Sequence, residues 1–543
     1  MHSEGVADPG SPAAAPPRMW ARRLAAVASG LLLAAAYPGL SAPGLAWVAL
    51  VPLILASRGL RVRAGFGLGW IAGTLFFLAS MYWLWRVTLP GLLFLAVYCG
   101  LYTGLFAAFL AAWDRRITFT TGRGNVYLVL AGSTLWAGLE LLRSTLFTGF
   151  TWNTLGVSQF ANLSLIQIAE FTGVYGVSFV LVAANLALAG VLARYHGWIR
   201  RGQRVKYHPE VLAATVLVAG CMAFGLARLR SEPAAGRVLR VGCVQPDISQ
   251  YAKWDDAFET HIRTRLQELS SLTLIAGGDL DLLLWPETAL PDEFRYSEKS
   301  RELVFNLVAR GVPLLVGTID FARSVDERGR VSAEWFNTAM LIDREGRYAG
   351  RYDKRHLVMF GEYVPGWRWM PRWVSTLSPL SENFSPGTDP AVFRQIPDAP
   401  FGVLICFEDT IPSLARDSVN AGARLLVNQT NDGWFEPSRA SWQHAAHGVF
   451  RSVENRVPTV RATNSGVTCS ITPAGRIQDV LAASDTSPEV RFPGFKTMGV
   501  VVPGAGHAPT FYSRHGDLFG WFCAVPAGAW ILFLLSARLH KRC

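Results

Sequence analysis

The sequence predicts a bundle of membrane-spanning helices joined to an α/β domain outside the membrane, with helices packed on a mixed sheet. Three observations predict it. Apolar runs crowd residues 20–230 and return near the C-terminus. Basic residues gather in alternate loops between those runs. Residues 231–516 alternate strand-like and helix-like patterns, as soluble α/β proteins do. At 543 residues the chain is longer than one ordinary domain, so more than one folding unit is expected.

Residues 1–17 are rich in Pro and Ala and are expected to be disordered. Apolar runs follow around 24–40, 44–57, 65–86, 90–113, 126–142, 172–194 and 211–229, with a last one at 518–536. That makes about eight stretches that cross or nearly cross a bilayer, which takes ~20 helical residues. The first two are short and share a Pro/Gly-rich break, which fits either one helical hairpin or two shallow helices. Arg18, Arg22 and Arg23 before an apolar run also fit a secretory signal, but the many later spans argue against a cleaved one. The expected division is a membrane domain of about seven helices at 18–230, an outer domain at 231–516, and a final span with a basic tail at 517–543.

The basic residues set the orientation. Arg58, Arg61 and Arg63 follow the second run, and Arg115, Arg116 and Arg123 follow the fourth. Arg194, Arg200, Arg201, Arg204 and Lys206 follow the sixth, and Arg538, Lys541 and Arg542 end the chain. The alternate loops carry little beyond Arg86 and Arg143. By the positive-inside rule both termini are cytoplasmic and 231–516 lies on the opposite side. The net charge of +11 is largely this topological pattern. Because the basic residues are dispersed over loops, a nucleic-acid surface is excluded. Within one span, Glu140 and Arg143 in LWAGLELLRS stand one helical turn apart and are expected to form an ion pair. Trp152, Asn153 and Gln159 in the next outer loop are candidates for lining a route to the outer domain.

In that domain VLRVGCVQPDI reads as a strand, the stretch from Trp254 to about Leu272 as a helix, and DLLLWPE as a second strand. SEKSRELVFNLVARG is a helix, VPLLVGTIDF a strand, and WFNTAMLIDREGRYAGRYDK a hairpin around REGR. FGVLICFED gives a strand and turn, PSLARDSVNAG a helix, ARLLVNQTNDGWF a strand and HAAHGVFRSVENR a helix. TVRATNSGVTCSITPAGRIQDV is a second hairpin.

Of seven cysteines, Cys99, Cys221 and Cys523 fall in predicted spans and Cys543 is terminal. Cys243, Cys406 and Cys469 belong to the outer domain, too few to staple it by disulfides and not spaced for zinc. No metal or cofactor is expected. A free thiol in an oxidising compartment is a liability, which favours a chemical reason for Cys406.

Three segments each lead apolar residues into a reactive one: LDLLLWPETALP with Glu287, GRYDKRHLVMFGEYVP with Lys354 and Glu362, and FGVLICFEDTIPSLARD with Cys406. A carboxylate, an ammonium and a thiol are the parts of a thioester-forming acyl-transfer site. Cys406 would be the nucleophile, placed at a strand-to-helix turn like a nucleophile elbow. Glu287, desolvated at the end of a core strand, would take the thiol proton and return it to a leaving group. Lys354, with backbone N–H groups near Phe407, would stabilise the oxyanion. Taken singly, each has a plainer reading: a buried structural cysteine, a capping glutamate, a solvated lysine beside Arg351 and Arg355. Their occurrence together turns the reading toward chemistry.

WPET, YDKRHLVMFGEYVP, CFED, NQTNDGWF and the run from HAAH through RSVENRVPTVRATNSG resemble the nitrilase, or carbon–nitrogen hydrolase, superfamily. With the membrane segments, and with WAGLELLRS, GFTWNTLGVSQF and GVYGVSF, the chain is similar to that superfamily's membrane-bound branch, the apolipoprotein N-acyltransferases. The resemblance runs from about residue 20 to 536 and lies in the order and spacing of the motifs. It implies an αββα sandwich for the outer domain. It implies that Glu362 orients Lys354, that Glu408 is a site residue, and that Trp254 in YAKWDD faces substrate. It also implies a monomer in the bacterial inner membrane with its catalytic domain periplasmic. The implied donor is a phospholipid and the implied acceptor a diacylglyceryl-modified apolipoprotein, with no cofactor. The family often has Tyr directly after the nucleophile; here Phe407 lacks that hydroxyl.

Residues 366–385, GWRWMPRWVSTLSPLSENFS, place Trp367, Trp369 and Trp373 beside Arg368 and Arg372, a composition suited to a membrane-interface lid or to a loop folded onto the domain. Two rival functions stand beside the acyltransferase. A tethered amidase or nitrilase would not need the multi-span bundle. A transporter or receptor with a degenerate sensor domain would not need Glu287, Lys354 and Cys406 all retained.

Overall fold

Long runs of Leu, Phe, Ala and Gly with few charges, and with Pro only at their starts, give the N-terminal half its helices. In the computed structural model, residues 18–115, 122–201, 207–231, 236–249, 256–325, 331–363, 383–435, 438–484 and 489–539 are described. The N-terminal 1–17, Trp254, and the Trp and Arg residues at 367–373 of the expected lid lie outside the described residues.

Five described helices are long and apolar enough to cross a membrane: Val62–Ser80, Leu89–Asp114, Arg123–Thr145, Val174–Tyr195 and Pro209–Arg230. The remaining apolar runs are shorter. Met19–Ala35 has 17 residues. The 44–57 run breaks into a 3-10 turn at Pro43–Trp47 and a short helix at Val51–Ala56, each with Pro in its first turn. The last helix, Leu518–Leu539, tolerates Pro526 in its interior. Val62–Ser80 and Leu89–Asp114 pack through small residues: a Cβ on Gly69 would fall 2.3 Å from the carbonyl oxygen of Thr103.

The expected Glu140–Arg143 ion pair is not formed. Glu140 Oε1 accepts instead from Trp136 Nε1 at 2.9 Å and from the Leu155 amide at 2.7 Å. Arg143 donates to the Trp152 carbonyl at 2.8 Å and lies over the Phe77 ring. The loop after the helix offers backbone groups that need partners in an apolar setting, so both charges are spent on bracing residues 152–155.

The α/β domain holds two six-stranded mixed sheets. The first has the order β12-β1-β2-β3-β4-β5 and the second β11-β10-β9-β8-β7-β6. These are β1 (Arg237–Gln245), β2 (Leu282–Leu284), β3 (Leu314–Val325), β4 (Val331–Ile342), β5 (Tyr348–Asp353), β6 (Val392–Phe393), β7 (Phe401–Ile405), β8 (Leu425–Thr430), β9 (Thr459–Thr463), β10 (Cys469–Ile471), β11 (Ile477–Gln478) and β12 (Gly494–Val502). Alternation decides the layers. Leu282 and Leu284 of β2, with Phe401, Val403 and Ile405 of β7, fill the space between the sheets. Leu283 points the other way, against helices Glu259–Gly277 and Glu298–Val308. Leu404 likewise meets helix Pro412–Asn420 on the far face of the second sheet. The result is an αββα sandwich.

Helix Ala440–Asn455 covers the rest of the second sheet and is buried nearly throughout. Its Ala445, Ala446, Val449, Phe450 and Val453 belong to the same apolar core as Leu165, Ile166 and Val174 of the helical bundle. Gln443 on this helix joins the two halves. Its amide donates to the Pro38 and Ser80 carbonyls at 3.0 Å each, and its oxygen accepts from Trp152 Nε1 at 3.0 Å.

Candidate active site

Cys406 follows β7, every residue of which is buried, and stands at φ +53°. A non-glycine residue in this left-handed region is strained, a conformation that clusters at functional sites. The chain then makes a 3-10 turn, Cys406–Thr410, and the helix that the sequence places at the thiol begins only at Pro412. Among the described residues, no α-helix N-terminus therefore sits at the thiol. Burial pushes the thiol well above its ordinary value, Glu287 pushes it further, and Lys354 opposes both. The balance favours the protonated thiol. Cys243 in β1 and Cys469 in β10 are core residues in which burial has the same effect, opposed at Cys469 by Arg461.

Glu287 leaves the end of β2 through Trp285 and Pro286. The turn fits against β3 because Gly317 has no side chain: a Cβ there would fall 1.9 Å from the Pro286 carbonyl oxygen. Gln429 of the opposite sheet donates to the Trp285 carbonyl at 2.6 Å and so ties the two sheets together beside the site.

Lys354 directly follows β5 and is 1% exposed. Its ammonium donates to Glu362 at 2.8 Å and to Glu287 at 3.3 Å. Burial alone would lower its proton affinity, but Glu362 and Glu287, with a smaller contribution from Cys406, carry it well above the ordinary lysine value. It is a fixed cation. Asn337 of β4 completes the set. Its amide donates to Glu287 at 2.8 Å and to Glu362 at 3.1 Å, and its carbonyl accepts from the Lys354 amide at 2.8 Å.

Glu408 is fully buried and braces the site. One carboxylate oxygen accepts from the Ile405 amide at 2.7 Å and the Tyr352 hydroxyl at 2.8 Å, and the other from the Arg355 and His356 amides at 2.7 and 3.0 Å. It thus fastens the thiol-bearing turn to the segment that carries Lys354. Burial raises its proton affinity, and these hydrogen bonds oppose the rise.

Phe407 faces the helical bundle. Its ring lies parallel to Trp152, with centroids 6.0 Å apart and planes at 5°, and stacks also with Phe150 and His356. Below the turn, His444 of helix Ala440–Asn455 donates to the Cys406 carbonyl at 3.1 Å, beside Asn428 of β8 at the same distance. Among the described residues, no group of three or more His, Cys, Asp or Glu is arranged to hold a metal ion.

Two family models match the chain in the order of these parts. The apolipoprotein N-acyltransferase N-terminal domain matches residues 29–187, and carbon-nitrogen hydrolase matches residues 240–490. The chain is 36% identical over 526 residues to the apolipoprotein N-acyltransferase of Geobacter metallireducens, covering 95% of each chain. The chain belongs to the apolipoprotein N-acyltransferase family. Its likeness to the family's proteins from Allorhizobium ampelinum and Chlorobaculum tepidum is 31% and 30%, over 84% and 95% of this chain and 87% and 96% of theirs.

In this apolipoprotein N-acyltransferase family member, Trp152 falls within the first matched region and Phe407 within the second, so their stacking joins the two. Of the residues singled out in the sequence, the structure gathers Glu287, Lys354, Glu362, Cys406, Phe407 and Glu408 at one place. Asn337, His444 and Gln443 were not singled out. His444 opens the HAAH motif already noted, but nothing there marked it apart from its neighbours, and Asn337 and Gln443 showed only as polar residues within a strand and a helix.

Proposed function

We propose that this acyltransferase moves a fatty acyl chain from a phospholipid, through a thioester on Cys406, to the α-amine of the diacylglyceryl-modified N-terminal cysteine of a lipoprotein. The observation that carries the reading is the buried cluster in which a thiol on a strained turn meets a carboxylate and a fixed ammonium, roofed by Trp152 from the helical bundle.

The steps follow from the charges. Glu287 takes the Cys406 proton as the sulfur attacks the ester carbonyl. The oxyanion is held by the Lys354 ammonium and the Phe407 N–H. Collapse expels the lysophospholipid, which leaves with the proton held by Glu287. The lipoprotein amine then attacks the thioester, gives its proton to Glu287, and the thiol is restored as the amide forms. Glu362 and Asn337 keep Lys354 and Glu287 aligned, and Glu408 keeps the turn in place. Transfer prevails over hydrolysis where lipid substrates exclude water, and the apolar surroundings of Trp152 and Phe407 favour that.

On this reading the protein is a monomer of the bacterial cytoplasmic membrane, with both termini and the Arg-rich loops inside and the α/β domain on the periplasmic face. Support comes from the distribution of Arg and Lys among the loops. The test is incubation with labelled phospholipid and a diacylated lipopeptide, with mass spectrometry of the Cys406 peptide. The expected result is an acylated Cys406 peptide that is discharged by the lipopeptide. Release of free fatty acid alone, or full transfer by Cys406→Ala, would overturn the proposal.

A further inference from the structure

The peptide joining Cys406 to Phe407 is held from beneath by its carbonyl oxygen. Asn428 Nδ2 and His444 Nε2 both lie 3.1 Å from that oxygen. A trans peptide points its N–H and its C=O in opposite directions. Whatever fixes the carbonyl therefore aims the Phe407 N–H, in a turn where φ of +53° at Cys406 gives the peptide no intrinsic preference to stay.

His444 is itself over-determined. Its Nδ1 lies 2.7 Å from Asp432, and its Nε2 lies 2.9 Å from Asp409 as well as facing the Cys406 carbonyl. Both ring nitrogens face acceptors, so both carry hydrogen and the ring is an imidazolium. Burial lowers its proton affinity, but Asp409 and Asp432 outweigh burial and push it up to about 9. Arg461 of β9 pairs with Asp409 on its other side, so two buried cations balance two buried anions. The ring of Trp152 lies 5.4 Å away and covers the group from the bundle side. His447, one turn along the helix, is pushed down to about 3 by burial and stays neutral.

We infer that His444 is a positioning residue for the transfer: its cationic N–H holds and polarises the Cys406 carbonyl, so that the Phe407 N–H is aimed at the reacting carbonyl and strengthened as a donor. Hydrogen-bonded groups in series polarise one another, and a charged donor does so more than a neutral one. His444 touches no substrate. Asn428 supplies the second, neutral contact to the same oxygen. The inference rests on the thioester reading above and adds to it the element that shapes the oxyanion site.

The test compares two reactions of the same thiol. Alkylation of Cys406 by iodoacetamide needs the thiolate but forms no oxyanion. Acylation by a labelled phospholipid needs both. In His444→Gln, full-length and in lipid, the acylation rate is expected to fall roughly 10- to 100-fold, less than the ~10²–10³-fold for removing an oxyanion donor itself because the Phe407 N–H remains, with KM little changed. Alkylation at Cys406 should stay within about twofold of wild type, as the inference requires. Asn428→Leu should show the same selective loss to a smaller degree. Equal loss of both reactions in His444→Gln, including loss through misfolding, would overturn the inference in favour of a purely structural cation. Unchanged acylation would overturn it as well. If wild-type protein alkylates at Cys406 yet forms no acyl-enzyme, the failure belongs to the thioester reading instead.

Discussion

Trp152 and Phe407 stack face to face, 6.0 Å between centroids and 5° between planes, and they come from parts of the chain more than two hundred residues apart. The contact sets the residue beside the thiol directly against the helical bundle.

Removing the Phe407 ring should therefore weaken transfer without touching the reacting groups. An aromatic pair contributes ~1 kcal/mol beyond burial, so Phe407→Ala should lower kcat/KM for acyl transfer about 5- to 10-fold. Phe407→Tyr keeps the ring and should stay near wild type. Lipopeptide acylation assays on both variants check this.

Glu287→Gln should separate the thiol's acidity from its use. Glu287 raises the thiol's proton affinity and Lys354 lowers it. Neutralising Glu287 should move the midpoint of Cys406 alkylation to lower pH. Acyl transfer should nevertheless fall ~10²–10⁴-fold, since no base remains to shuttle the proton. A midpoint that rises would contradict the arrangement.

Lys354→Met leaves Glu287 and Glu362 buried together with no cation between them. Breaking one side of a buried pair costs about 3–5 kcal/mol, and thermal unfolding in lipid or detergent should show a marked drop. Adding Glu287→Gln should recover part of the loss, because it removes one of the two stranded charges.

The charged His444 gives stability a sign with pH. Its proton affinity is raised in the folded state, to about 9. Its contribution is therefore complete below the unfolded histidine value of about 6.5 and is lost as pH rises through about 9. Unfolding measured from pH 7 to 10 should show an alkaline loss on the order of 3 kcal/mol at most in the wild type. His444→Gln should lack that component.

The residues that ended strands were legible in the sequence. Glu287 and Cys406 each follow a short apolar run that reads as a buried strand, and Lys354 follows the second strand of a hairpin announced by REGR. Glu408 was legible as a site residue, but its role was not. Its four hydrogen bonds reach residues more than fifty positions away as well as its own turn. Asn337 and His444 were hidden for the same reason: each acts across a gap that only the folded sheets close. The Glu140–Arg143 pairing failed because spacing on a helix says nothing of the loop that returns to claim both charges. The short Val51–Ala56 helix shows the opposite case, in which a Pro-broken run announces its own interruption.

In the first sheet, β1 and β12 pair antiparallel along their whole length, with Arg237 opposite Val502. Strand neighbours of this kind stand ~5 Å apart. The chain thus enters and leaves the sandwich through two adjacent points, one just after the helix ending at Arg230 and the other shortly before the helix starting at Leu518. A unit with such close ends can be spliced into a host without stretching either partner. The α/β domain therefore hangs from the helices by one pair of neighbouring strand ends. Helix Ala440–Asn455, whose core is shared with the bundle, is the second attachment that fixes its orientation.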